Sequence, residues 1–78
     1  MNEKATTHER IKVFVNGKQL SISPTFSVRH ALLAYDEDAL ADVIGGEAYV
    51  ADARGNEVGL DGALFDGMRL YVKSVEVE

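Results

Sequence analysis

The chain of 78 residues carries 8 Lys and Arg against 13 Asp and Glu, no cysteine, and a formal net charge of −5 at pH 7. That length holds one small core, which disfavours a self-sufficient enzyme, and the acidic balance repels phosphate backbones and so argues against nucleic acid as a partner. The lack of cysteine excludes disulfides, thiol nucleophiles, zinc–thiolate sites and iron–sulfur clusters, leaving packing alone to hold the fold.

Residues 1–9 show no periodicity and few apolar groups, so they read as a flexible N-terminal tail that includes His8. This polar start has no signal-peptide core, and no apolar run reaches the roughly 18 residues of a membrane helix. A cytoplasmic protein without a membrane partner is the expectation.

The folded domain is read as 10–78. Ile11, Val13 and Val15 alternate at the two-residue period of a half-buried strand, and Asn16-Gly17 then supplies both positive-φ positions of a type I′ turn. Leu20 and Ile22 resume the alternation, which predicts a hairpin whose second strand stops before Pro24. Ser27 is a helix N-cap with Phe26 placed to staple onto Ala31, and Val28, Ala31, Leu32 and Tyr35 form an apolar stripe at i, i+3, i+4, i+7. The acidic Asp36-Glu37-Asp38 opposes the C-terminal helix dipole, which predicts a helix end near Tyr35 or Asp36.

Residues 38–44 read either as a second short helical turn or as a loop seating Leu40 and Val43 on the core, closed by a hinge at Gly45-Gly46. Ala48 to Ala51 is a strand candidate, Arg54-Gly55-Asn56 a turn, and Glu57 to Leu60 a short return strand. Met68 to Lys73 closes the pattern as a last strand with Leu70 and Val72 on one face. Hairpin, helix, two short strands and a last strand pack best as an α+β fold. One mixed sheet of four to five strands is covered on one face by one main helix, with the first and last strands parallel at the centre.

The order of these signals, with Val15-Asn16-Gly17-Lys18, Ser27-Val28 leading into Ala31-Leu32-Leu33, and Leu64-Phe65-Asp66-Gly67-Met68-Arg69-Leu70, resembles the sulfur carriers of thiamine and molybdopterin biosynthesis. The resemblance runs from about Ile11 to Val77 and implies the ubiquitin-like β-grasp fold. Such carriers act through a C-terminal Gly-Gly whose carboxylate is adenylated and converted to a thiocarboxylate. This chain ends Ser74-Val75-Glu76-Val77-Glu78, with a β-branched and an acidic residue where a slim tail is needed, so that chemistry does not carry over.

No residue pattern calls for a cofactor. His30 stands beside Arg29 off the apolar stripe and has no second histidine at ligand spacing, which reads as a surface histidine. Asp36, Glu37, Asp38 and Asp42 do not form an EF-hand, because Leu40 and Ala41 occupy the positions that need an oxygen ligand and a glycine. No Gly-x-Ser-x-Gly elbow, Walker sequence or dinucleotide glycine motif occurs, so no enzymatic activity is expected.

Strand alternation isolates one candidate site. With Ile11, Val13, Val15, Leu70 and Val72 inward, Lys12, Phe14, Arg69, Tyr71 and Lys73 face outward, and neighbouring strands would bring Phe14 and Tyr71 together. Two aromatics among three cations on an acidic chain have the composition of a protein-binding interface. The expected function is therefore a non-catalytic module docking a partner protein. Two alternatives stay open: a carrier or modifier serving as substrate of an adenylating enzyme, and a regulatory or ferredoxin-like β-grasp subunit without a cluster.

Overall fold

The computed structural model describes residues 10–75. The expected tail at 1–9 and the terminal Glu76-Val77-Glu78 lie outside the described residues. Five strands and two helices follow in the order β1 (Ile11–Val15), β2 (Lys18–Ile22), α1 (Val28–Tyr35), α2 (Glu37–Ile44), β3 (Ala48–Asp52), β4 (Glu57–Val58) and β5 (Met68–Ser74). The strands form one mixed sheet in the order β2-β1-β5-β3-β4. Among the described residues no helix is long and apolar enough to cross a membrane.

The first hairpin follows its turn chemistry. Asn16 and Gly17 both take positive φ, 51° and 86°, and β1 pairs antiparallel with β2 from Val15↔Lys18 to Ile11↔Ile22. Asn16 does more than turn the chain. Its N–H donates to Leu70 O at 2.9 Å, its side-chain Oδ1 accepts from Val72 N–H at 3.0 Å, and its Nδ2 donates to the Tyr35 hydroxyl at 3.1 Å. One residue thereby extends the β1–β5 ladder past the end of β1 and ties the turn to α1.

At the start of α1, Ser27 has the extended backbone of an N-cap and His30 the N3 position of a capping box. The Ser27 N–H donates to His30 Nδ1 at 3.1 Å, and the Ser27 hydroxyl lies 3.1 Å from the same nitrogen. Phe26 stacks on that imidazole with centroids 4.6 Å apart, so its aromatic contact is with His30. Two further amides of the first turn are satisfied from outside the helix: Val28 N–H donates to Gly62 O and Arg29 N–H to Leu60 O. Gly62 is held close, since a Cβ there would sit 3.1 Å from both Gly59 O and a Val58 methyl.

Of the two readings of residues 38–44, a short helical turn or a loop, the structure has the helical one, extended to a second helix as long as α1, so two helices stand where one main helix is expected. The acidic run after Tyr35 opens α2: the Asp36 side chain caps it by accepting from Asp38 N–H, and Glu37 and Asp38 occupy its first turn, where the positive dipole end favours them. The helix closes in a Schellman arrangement, with Glu47 N–H donating to Asp42 O at 2.8 Å, Gly46 N–H to Val43 O at 3.2 Å, and Gly46 at φ 84°.

The last strand occupies the centre. β5 runs parallel to β1 through Val13↔Met68 and Val15↔Leu70, and antiparallel to β3 from Ala48↔Ser74 to Asp52↔Leu70. The bend before β5 is pinned to β1, because Asp66 Oδ1 accepts from Lys12 N–H at 2.9 Å and Gly67 N–H donates to Lys12 O at 2.7 Å. Val13, Val15, Val28, Ala31, Leu32 and Leu70 are fully buried between the sheet and α1, joined by Ile22, Val50, Leu64 and Met68. Leu40 and Val43 of α2 pack against this core from its margin.

Candidate functional site

Pleating leaves the sheet face opposite the helices to Lys12 and Phe14 of β1 and to Arg69, Tyr71 and Lys73 of β5. The three cationic residues are exposed, and the two aromatic residues are half-buried. The structure thus brings all five to one face, but it does not stack Phe14 on Tyr71. Parallel register sets Phe14 opposite Arg69, while Tyr71 lies one side-chain step further along β5, opposite Ala51 of β3.

The partner of Phe14 is a cation. The Arg69 guanidinium carbon sits 4.7 Å from the Phe14 ring centroid, where the quadrupole of the ring attracts it. Such stacking holds a long side chain that would otherwise lose rotamer entropy on binding, and it leaves the guanidinium edge available to an acceptor. Lys12 is anchored through its backbone by Asp66 and Gly67 while its side chain stays exposed.

Strand register brings two further residues to this face. Gln19 of β2 flanks Phe14, and Tyr49 of β3 stands opposite Lys73 on the same face. The signal for Tyr49 was present, because an inward Val50 forces its neighbour outward. Ala51 also belongs to this face by register yet is 1% exposed, so the sheet is closed over beside Tyr71 and accessible around Phe14 and Arg69. The chain's densest acidic group, Asp36, Glu37, Asp38 and Asp42, belongs instead to the α1–α2 junction in the helical layer.

A cleft of about 480 Å³ adjoins the face where Arg69 and Met68 meet Phe65, Arg54, Asn56 and Asp52. Asp52 is committed to its own turn, accepting from the N–H groups of Arg54 and Asn56 at 2.9 Å each. The Asn56 amide, with lesser help from the amide and charge of Arg54 against a desolvation penalty, holds its carboxyl below the usual aspartate range.

His30, exposed on α1, acts within the helix cap, so the Ser27–His30 contact belongs to local structure. Among the described residues no three His, Cys, Asp or Glu side chains come together as a metal-binding group. The chemistry this face supports is recognition: aromatic surface, oriented positive charge and polar edges on a rigid sheet. No protein-family model matches the chain, and no curated protein matches it significantly.

Proposed function

We propose that this chain is a non-catalytic β-grasp interaction module, sulfur-carrier-like in fold, that docks an acidic surface of a partner protein on the face of β1 and β5. Two features support the β-grasp reading: the strand order with the first and last strands parallel at the centre, and the placement of α1 across one side of the sheet. The observation that carries the docking reading is the Arg69 guanidinium held over Phe14, with Lys12, Tyr71 and Lys73 on the same face. Arginine and aromatic residues in a preordered arrangement are the groups that most often dominate binding energy.

The test is affinity capture from lysate with the wild-type domain and with Phe14→Ala/Tyr71→Ala, identified by mass spectrometry after an amide spectrum shows that the variant is folded. A partner retained by the wild type and weakened at least about tenfold by the double substitution, equivalent to about 1.4 kcal/mol, is the expected result. Mapping that purified partner by amide line broadening should place the footprint on Phe14, Arg69 and Tyr71. An adenylating enzyme retained equally by both forms would sink the docking reading and restore the carrier one.

A further inference from the structure

We propose that Asn16 is a site of spontaneous backbone-assisted deamidation, latched in the folded state by β5 and α1, whose isoaspartyl product releases the centre of the sheet. The inference is independent of what docks on the face. Asn16 is followed by Gly17, and the absence of a side chain on Gly17 leaves its amide nitrogen unhindered as a nucleophile. Both residues are exposed, and beyond the adjoining residues no heavy atom lies within 4 Å of the position a Gly17 Cβ would occupy, so water reaches the turn. The other described asparagine, Asn56, precedes Glu57 and lacks this unhindered neighbour.

The reaction needs only water. The Gly17 backbone nitrogen, losing its proton, attacks Asn16 Cγ; the Cγ–Nδ2 bond breaks and ammonia leaves, forming a five-membered succinimide. Water then opens either imide carbonyl, yielding aspartate when the ring's backbone carbonyl is retained in the main chain and isoaspartate when the chain runs through the former side chain. No oxidant or reductant takes part.

The fold opposes the first step by holding both ends of the amide that must rotate. Oδ1 is engaged by Val72 N–H on β5 and Nδ2 by the Tyr35 hydroxyl on α1, while the backbone is fixed at φ 51° by the two-residue turn. Cyclisation therefore requires a local opening in which these contacts break together. The two products differ: aspartate can rebuild both contacts, one carboxylate oxygen accepting from Val72 N–H and the other from the Tyr35 hydroxyl, whereas isoaspartate inserts a methylene into a turn whose register is Val15↔Lys18 and moves its carboxylate away from both partners. In the isoaspartyl chain Val72 N–H and the β1–β2 hairpin lose their shared anchor.

The experiment incubates the full chain in mildly alkaline buffer, beside the peptide acetyl-Phe-Val-Asn-Gly-Lys-amide and the chain unfolded in urea. Peptide mapping by mass spectrometry follows the replacement of NH2 by OH, and isoaspartyl methyltransferase serves as a reagent for isoaspartate. Asn16 should deamidate in the peptide and the unfolded chain, and about tenfold or more slowly in the native protein. Tyr35→Phe should restore part of the rate severalfold, and the isoaspartyl protein, but not Asn16→Asp, should lose hydrogen-exchange protection at Val72. Val58→Ala, at the far sheet edge, controls for general loss of stability. A native rate equal to that of the peptide, modification mapping elsewhere, or equal acceleration by Val58→Ala and Tyr35→Phe at matched stability would each overturn the latched site.

Discussion

Leu32 of α1 and Leu70 of β5 have no exposed surface, whereas α2 buries no residue fully and the edge strand β4 is two residues long. The two regions do not differ in helix length, since α1 and α2 each span eight residues. They differ in what meets their apolar stripes. α1 packs against β1 and β2 and buries Val28, Ala31 and Leu32 in the same core as Leu70, and its first turn is hydrogen-bonded to the carbonyls of Leu60 and Gly62. α2 meets the core only through the half-buried Leu40 and Val43, while Ile44 is 60% exposed. An isolated helix this short is marginal in water, so α2 depends on its caps to a degree that α1 does not.

The sharpest way to break the contrast is to truncate one apolar side chain to alanine in each region. Leu70→Ala should lower unfolding stability by about 2–5 kcal/mol, because a fully enclosed side chain leaves a cavity. Val43→Ala should cost well under half as much, since its site is already partly hydrated. Urea denaturation of both variants measures the ratio, and equal losses would mean that α2 belongs to the same cooperative unit as the centre.

A smaller effect is expected at the cap of α2. Asp36→Ala removes the acceptor for Asp38 N–H and should cost about 1 kcal/mol. Hydrogen exchange should show that loss as faster opening of α2 amides with β1 and β5 amides little changed; uniform acceleration of all amides would argue against separate units.

The smallest predicted effect is a pH dependence at the β3–β4 turn. Asp52 has a depressed folded-state pKa, so its contribution to stability is present above the ordinary aspartate range and is lost as pH falls through the lower folded value. Asp52→Asn keeps an acceptor but removes the charge, and should flatten the acid limb of the stability profile by lowering the neutral plateau slightly and leaving the stability at low pH little changed. An unchanged acid limb would show that this turn does not contribute to it.

The same contrast explains which parts of the fold could be read from residues. The β1–β2 hairpin, the stop before Pro24 and the buried stripe of α1 were legible because local chemistry and burial pointed the same way at each. α2 is less legible because its acidic start is at the same time a poor end for α1. Read forward, Asp36 followed by Glu37 and Asp38 is an N-cap with a favourable first turn. At the candidate site the two-residue period sets all five outward residues on one face but does not fix the register between β1 and β5. That register, set by Asn16, Asp66 and the enclosed Val15 and Leu70, is what puts Arg69 rather than Tyr71 against Phe14.

The parallel pairing of β1 with β5 also sets a temporal order on the ribosome. The hairpin and α1 are synthesised early, yet the strand that separates β1 from β3 and covers Val13 and Val15 comes last. Contacts so distant along the chain form slowly, because a long loop must close before any of them is gained. Until β5 arrives, the nascent chain holds a hairpin whose inner edge has no neighbour and whose apolar side is half-covered, the kind of surface to which holdase chaperones bind. Arrest peptides placed at increasing distances beyond β5 would register that transition as a single late pull.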